Sequence, residues 1–415
     1  MIEKEILKVK TFFFYKIIKC VKMKRLFVAA FMFLSLLTTN AFAEIKVGII
    51  LGFTGPIESL TPAMRDSAKL AFKEASDSGA LLGGETITVV EGDSTCIDSA
   101  AATAVAEAQI AENVAAIMGA DCSGVTGAIA TNVAVPNGVV MISPSATSPG
   151  LTTLDDKGLF FRTAPSDARG GQILADITKD RKIKSVAITY TNNDYGKGLA
   201  DVYAAAVKAH GINVTAVAAH EDGKADYSAE VSVLAAAGGD AVAVIGYLDQ
   251  GGKGIIQGSL DSGAFDTFIL SDGMIGDSLT DAFGADLNKS FGSLPGSTGK
   301  GADVFAKVAS AAGIDSSGPY TGESYDAAAL IVLAMQAGGS ADRASIAKNV
   351  MAVANGPGKK IYPGQLKKAL KLLAKGKGVD YEGATGVYFT DVGEAFGSFL
   401  EKEVKDGKFK TKKQR

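Results

Sequence analysis

The chain contains no tryptophan and only two histidines, His210 and His220, among its 415 residues. Histidine titrates near neutrality and is the commonest zinc ligand. Its scarcity leaves little room for histidine-based acid–base or zinc chemistry. Cysteine is equally sparse, with Cys20, Cys96 and Cys122, and no metal-ligand spacing is present. No Gly-x-Gly-x-x-Gly follows a strand, and no Gly-x-Ser-x-Gly elbow is found. The "DQGGKG" around Lys253 lacks the earlier glycine and the Ser/Thr of a phosphate loop. Basic charge is not in excess: 42 Lys/Arg stand against 45 Asp/Glu. What remains is 47% hydrophobic and 21% charged, the balance of a soluble globular protein with room for two or three domains.

"MKRLFVAAFMFLSLLTTNAFA" (23–43) has a basic start, an apolar middle and a small-x-small end, the pattern of a cleaved secretory signal. Its apolar run falls short of the roughly 18–20 residues needed to span a membrane. Residues 1–22 read as a stretch upstream of the true start at Met23. Without residues 1–43 the chain keeps 34 basic and 43 acidic side chains, net −9, which argues against nucleic acid or an anionic membrane as partner. Cys20 leaves with the leader. The two remaining cysteines of an exported protein predict one disulfide, with buried free thiols as the alternative. It would close a loop of about 25 residues, worth roughly 3–4 kcal/mol.

From residue 44 short β-rich runs alternate with Ala-rich helical stretches. "EIKVGIIL" is a predicted strand. A helix follows over 61–79, with Thr61 as N-cap, Pro62 at its first position and Gly79 at its end. Further strands are predicted at "TITVVEGD", "VAAIMGA" and "VVMISP", with helices between. From Phe160 the rhythm repeats through "SVAITYT", "NVTAVAAH", "AVAVIGYL" and "TFILSD". Two such blocks imply two α/β lobes, each a doubly wound parallel sheet. Helices are expected at 301–312, 321–337 and 364–375, and a strand at "GVYFT". The charged "EKEVKDGKFKTKKQR" is expected to fray into solvent.

In open parallel sheets ligands sit outside the carboxyl ends of the strands. Those positions carry "GFTGP", "ADCSG", "SPSAT", "NNDYGKG", "GYLDQGG" and "SDGMIG". Turns favour Gly, Ser and Asp in any case. Two features exceed that expectation. Tyr195 and Tyr247 stand at loop tips, and Ser123 stands where a helix begins, suited to a carboxylate.

"GFTGP", "ADCSG", "SPSAT", "NNDYGKGLA" and "SYDAAALIVLA", in this order, resemble the leucine/isoleucine/valine-binding protein family, the substrate-binding components of ABC importers. The resemblance covers nearly all of 44–400. It implies the type I periplasmic-binding fold, two lobes joined by a three-segment hinge, with an amino acid held between them as they close. The implied boundaries are a leader 1–43 with its signal peptide at 23–43, lobe one at 44–163 plus 273–387, lobe two at 164–272 plus 388–410, and a tail 411–415.

The family's ligand residues carry over as Ser123, Ser145, Ala146, Thr147, Tyr195, Tyr247 and Asp272. Ser123 and Thr147 would bind the α-carboxylate. The Ser145 backbone would accept from the ammonium, and Asp272, aligned with a one-residue gap, would pair with it. Tyr195 and Tyr247 would cover the zwitterion from lobe two. Leu60 stands where the family often has an aromatic residue. Tyr325 either lines the side-chain pocket or belongs to the core. Cys96 and Cys122 fall where the family forms its disulfide. The resemblance implies no cofactor, a monomer, a periplasmic location after cleavage behind Ala43, and a membrane permease as partner. Three rivals stand beside it: the same fold binding an amide, urea-like compound or aromatic carboxylate, an extracellular sensor domain, and a hydrolase using Ser123 or Ser145, which would need a nearby base.

Overall fold

The computed structural model describes residues 44–415. The leader, its signal segment 23–43 and Cys20 lie outside the described residues. From the start of this body β1 (Glu44–Leu51), α1 (Thr61–Asp77), β2 (Thr86–Asp93), α2 (Ser99–Ala111), β3 (Ala116–Gly119), α3 (Ser123–Ile129), β4 (Val140–Ser143) and β5 (Phe160–Arg162) alternate. Their strands form a parallel sheet in the order β2-β1-β3-β4-β5. Strands such as β3 and β4, covered by helices on both faces, read as unbroken buried runs.

A second block follows: α4 (Asp167–Asp180), β6 (Ser185–Thr191), α5 (Asp194–Ala209), β7 (Asn213–His220), α6 (Ser228–Ala237), β8 (Ala241–Ile245), α7 (Gly251–Ser262), β9 (Phe268–Leu270), α8 (Asp277–Phe283) and β10 (Phe291–Pro295). The chain then returns to the first sheet with α9 (Lys300–Ala311), α10 (Thr321–Gly338), α11 (Arg343–Ala354), β11 (Lys359–Ile361), α12 (Leu366–Leu373) and β12 (Val379–Tyr381). Helix α10 packs on α1, α11 and the first sheet and is buried along nearly its whole length. A hairpin of β13 (Phe399–Lys405) and β14 (Lys408–Gln414) completes the second sheet, ordered β14-β13-β10-β9-β8-β6-β7. The architecture is two doubly wound α/β lobes whose chain crosses between sheets three times.

Several expectations need correction. Strand β10 pairs with β9 and β13, so 291–295 belongs to the second sheet and the middle crossing follows Pro295 rather than residue 272. The expected tail 411–415 is paired in β14 against β13. It is anchored by charge as well: Arg415 and Arg181 both donate to the buried Glu401, the Arg181 bond at 2.9 Å. "GVYFT" forms no strand beyond an isolated bridge of Phe389 with Ala395. Thr61 is the first helical residue, not the N-cap, and its hydroxyl donates to the Gly52 carbonyl at 3.0 Å. Helix α1 nevertheless buries Met64, Ala68, Ala71, Phe72 and Ala75, the expected 3.6-residue stripe.

Candidate functional site

The carboxyl ends of both sheets face each other across a cleft, and its walls are strand-end loops. On the first side Asp121, directly after β3, is almost fully buried. It accepts from the Gly52 N–H, from Ser94 Oγ at 3.0 Å and from the Cys122 N–H at 2.9 Å, tying three loops together. Burial raises its pKa, and these donors oppose the rise. Cys96 and Cys122 form a disulfide that pins the same corner.

The "SPSAT" turn is built on Ser143, whose Oγ accepts from the Ala146 N–H at 2.9 Å and the Ser145 N–H at 3.3 Å. The buried Arg162 takes the Ala146 and Ser148 carbonyls at 3.1 and 2.9 Å. Ser123, the first residue of α3, accepts from the Ser148 N–H at 3.0 Å, which leaves its own hydroxyl hydrogen free to donate. Thr147 is buried with no partner for Oγ1.

On the second side Tyr195 stacks on Tyr247, with ring centroids 5.2 Å apart and planes 18° apart. The Tyr195 hydroxyl donates to Asp272 at 2.7 Å and accepts from the Gly273 N–H at 3.2 Å. A side chain at Gly273 would meet the Gly246 carbonyl at 2.5 Å, so only glycine permits this approach. Tyr320, just before α10, also donates to Asp272. Burial pushes the Asp272 carboxyl up, with Tyr320 and Tyr195 pulling the other way. Asp167, in the first turn of α4, is pushed well up by burial and by the neighbouring Asp272. Burial also raises the phenols of Tyr195, Tyr247 and Tyr320, which stay protonated donors.

The walls close on a cavity of about 30 Å³, well below the roughly 300–1,000 Å³ of an open ligand pocket. Of the residues singled out from sequence, Ser123, Ser145, Tyr195, Tyr247, Asp272 and Leu60 border it, as does Cys122. Ala146 and Thr147 are not among the bordering residues. Tyr325 belongs to the core: its hydroxyl binds Glu74 and the Gly364 N–H, and its ring packs on Phe305. Asp121, Tyr320 and the apolar Ile57 and Met64 border the cavity and escaped the sequence reading. The signal for Tyr320 was an aromatic residue immediately ahead of a helix; that for Asp121 was a carboxylate at a strand end.

Two further bonding points join the walls. Asp249 accepts from the Ser59 N–H and donates its own N–H to Pro56, both at 3.0 Å, and Ser148 Oγ donates to the Asp194 carbonyl at 3.0 Å. The lobes are therefore in contact around the cavity. Neither histidine borders it: His210 pairs with Asp176, and His220 is buried against Thr189 with its pKa lowered to about 4. Among the described residues no cluster suits a metal ion and no helix is long and apolar enough to cross a membrane.

Residues 44–391 match the sequence profile described as periplasmic binding protein. The chain belongs to the periplasmic binding protein family. Within it, Leu/Ile/Val-binding protein homolog 1 of Brucella melitensis is 32% identical over 318 residues, covering 74% of this chain and 82% of that protein. Homolog 3 of the same organism is 32% identical over 225 residues, 51% of this chain, and the match spans 57% of that relative's length. Solved periplasmic binding proteins share the fold. The branched-chain amino acid substrate-binding protein of Streptococcus pneumoniae in complex with isoleucine superposes with TM-score 0.73 at 22% identity, over 90% of this chain and 99% of the other. An R. palustris solute-binding protein in complex with 4-hydroxybenzoate gives 0.69 at 17%, over 90% and 97%.

Proposed function

We infer that this chain is the extracytoplasmic substrate-binding component of an ABC importer. It captures a branched-chain or other small or hydrophobic amino acid between its lobes and passes it to a membrane permease. One observation carries the reading: hydroxyl and backbone donors on one wall face a buried carboxylate and phenols on the other, beside apolar Ile57, Leu60 and Met64. A zwitterion leaving water needs hydrogen bonds or opposite charge at both ends. Ser123, with a free hydroxyl hydrogen at the cavity, serves the carboxylate, and Thr147 stands behind that wall with its hydroxyl beside Asp167. Asp272 and the Ser145 carbonyl serve the ammonium, and Tyr195 and Tyr247 cover the guest. Ala146 shapes the turn through its Arg162 contact. The lobes move as two bodies about the three crossings, as in the hinge closures for which periplasmic binding proteins are the standard example.

The disulfide supports an oxidising compartment, in keeping with export and a periplasmic location. Ser123 and Ser145 have no histidine base at the cavity, which supports binding without chemistry on the ligand. The protein acts as a monomer on its permease. Thermal shift against amino acids tests the reading. A ligand at about 100 times Kd adds about 2.7 kcal/mol, or roughly 3–4 °C for a body this size. No shift with any zwitterion would overturn it.

A second reading rests on the phenol donors already satisfying Asp272. With its charge met by Tyr195 and Tyr320, the stacked-tyrosine wall also suits an aromatic carboxylate, and a benzoate arm in the same screen separates the two.

A further inference from the structure

Residues 359–377 contain seven lysines and no acidic residue, in a body whose net charge is −9 by sequence. Five of them, Lys367, Lys368, Lys371, Lys375 and Lys377, lie on α12 and the turn after it, all exposed. Among the described residues none of these five has a carboxylate within ion-pair distance, whereas nearby Lys360 pairs with Glu382. Most charge runs are solvated faces with both signs interleaved. The β13–β14 hairpin is such a face, with Lys412 set against Glu401 and Glu403. The α12 face is not.

The patch is also held rigidly. Leu366, Ala369 and Leu370 are buried, with α12 packed against α1 and α10. Glu74 accepts from the Leu366 N–H at 2.7 Å, and Tyr325 accepts from the Gly364 N–H at 3.0 Å. Glu74 sits ten residues beyond Met64 on α1, so α12 meets α1 about 15 Å from the cavity. A surface docked there leaves the cleft clear.

The composition of the patch selects its partner. It holds lysine and no arginine, so it offers mobile point charges rather than the fixed forks that match a rigid protein site. It presents no exposed aromatic anchor of the kind that dominates protein interfaces or stacks on bases, since Tyr362 is covered by Lys300 at 4.3 Å. A fluid array of phosphate headgroups fits such a face. The net charge of −9 argues against an anionic membrane for the body as a whole, but at ordinary salt it is screened beyond about 10 Å, so a nearby surface senses mainly the patch.

We propose that the lysine face of α12 docks on the anionic phospholipid surface of the membrane. It holds the protein beside the bilayer with its cleft free to load and unload. Each lysine near an anionic surface multiplies partitioning by about fivefold.

The test is co-sedimentation of the protein recovered after export, using phosphatidylcholine vesicles with and without about 30% phosphatidylglycerol. The protein should pellet with the anionic vesicles at about 0.05 M salt and be released at about 0.5 M. The variant carrying Lys367→Gln, Lys368→Gln, Lys371→Gln, Lys375→Gln and Lys377→Gln should partition at least about a hundredfold less. A control losing Lys405, Lys408, Lys410, Lys412 and Lys413 in the same way should stay within about threefold of wild type. Failure to pellet at low salt, equal binding to neutral vesicles, or an equal loss in the control would each overturn the proposal. If the α12 variant fails to fold, the salt and lipid dependence of the wild type decides. Amino-acid titration of the same samples stays unchanged throughout, so this result is independent of the ligand reading.

Discussion

Tyr320, immediately ahead of the helix packed against the first sheet, donates its phenol across the cleft to Asp272 at the end of the second. This bond both joins the lobes and supplies a donor to a buried carboxylate. Removing it leaves that carboxylate under-solvated, for which hydrogen bonds to charged groups set a scale of about 1.5–3 kcal/mol. Tyr320→Phe should therefore weaken ligand binding by about tenfold to a hundredfold while the protein still folds. Calorimetric titration checks it. Unchanged affinity would mean that the bond is incidental to capture.

Asp272 gives the second prediction. If it pairs with an ammonium, Asp272→Asn should cost about 2–5 kcal/mol of binding. The wild type should also bind more weakly on acidification, because burial raises this pKa and a protonated carboxyl loses the ion pair. Affinity should fall by up to tenfold per pH unit once the group takes a proton, and the Asn variant should lose that slope. Asp167 is raised by the same neighbour, so Asp167→Asn, measured alongside, shows how far the pair shares the proton. A flat profile in the wild type would remove Asp272 from the ammonium site.

Glu323, buried in the first turn of α10, has its pKa pushed by burial to about 8. With a folded pKa above the unfolded one, the folded state holds a proton that the unfolded state has released. Stability contributed by this group is then complete at low pH and is lost as pH rises from about 4.5 to about 8. Glu323→Gln should flatten the decline in melting temperature over that window. Parallel declines in both proteins would show that the carboxyl is not buried as described.

Much of this arrangement was readable in the residues, and what was not has physical reasons. Ser123, Tyr195 and Tyr247 stand at strand ends, where topology concentrates ligand groups, whereas Asp272 was singled out by the family resemblance. Tyr320 was missed because its placement depends on a left-handed turn, φ 59°, ahead of α10. The apolar run drew attention to Tyr325 instead, and helical periodicity cannot say which end of a helix reaches a cleft. Strand β10, "FGSLP", carries the Gly, Ser and Pro of a loop and is a strand through its neighbours β9 and β13. The C-terminal hairpin joins its sheet through β10, more than 100 residues earlier in the chain.

The Cys96–Cys122 disulfide spans a separation of 26 residues and fixes the loop that carries Asp121 and Ser123. Reduction, or Cys96→Ser with Cys122→Ser, should lower stability by about 3–4 kcal/mol, following loop-closure entropy. Affinity should fall too, since the Ser123 end of α3 is freed. Denaturant titration with and without reductant reads the first effect and calorimetry the second. Lost stability with intact affinity would show that the hydrogen bonds of Asp121 alone hold the corner.

Glu401 has a buried side chain with three donated bonds, one from Arg181 and two from Arg415. Burial alone would raise its pKa, but Arg415 and Arg181 outweigh burial and hold it below the usual carboxylate range. For a depressed carboxyl the stabilising contribution is present above the unfolded pKa and is lost as pH falls through the folded one, the opposite slope to Glu323. Glu401→Gln removes the counter-charge that two arginines share, but Arg181 keeps Glu403 and Arg415 keeps Asp180, so the cost should be about 1.5–3 kcal/mol. It should also free the last strand. Hydrogen exchange should then rise across 408–414 and leave the first sheet protected. Uniform exchange in the variant would mean that strand pairing, and not this ion cluster, keeps the C-terminus in place.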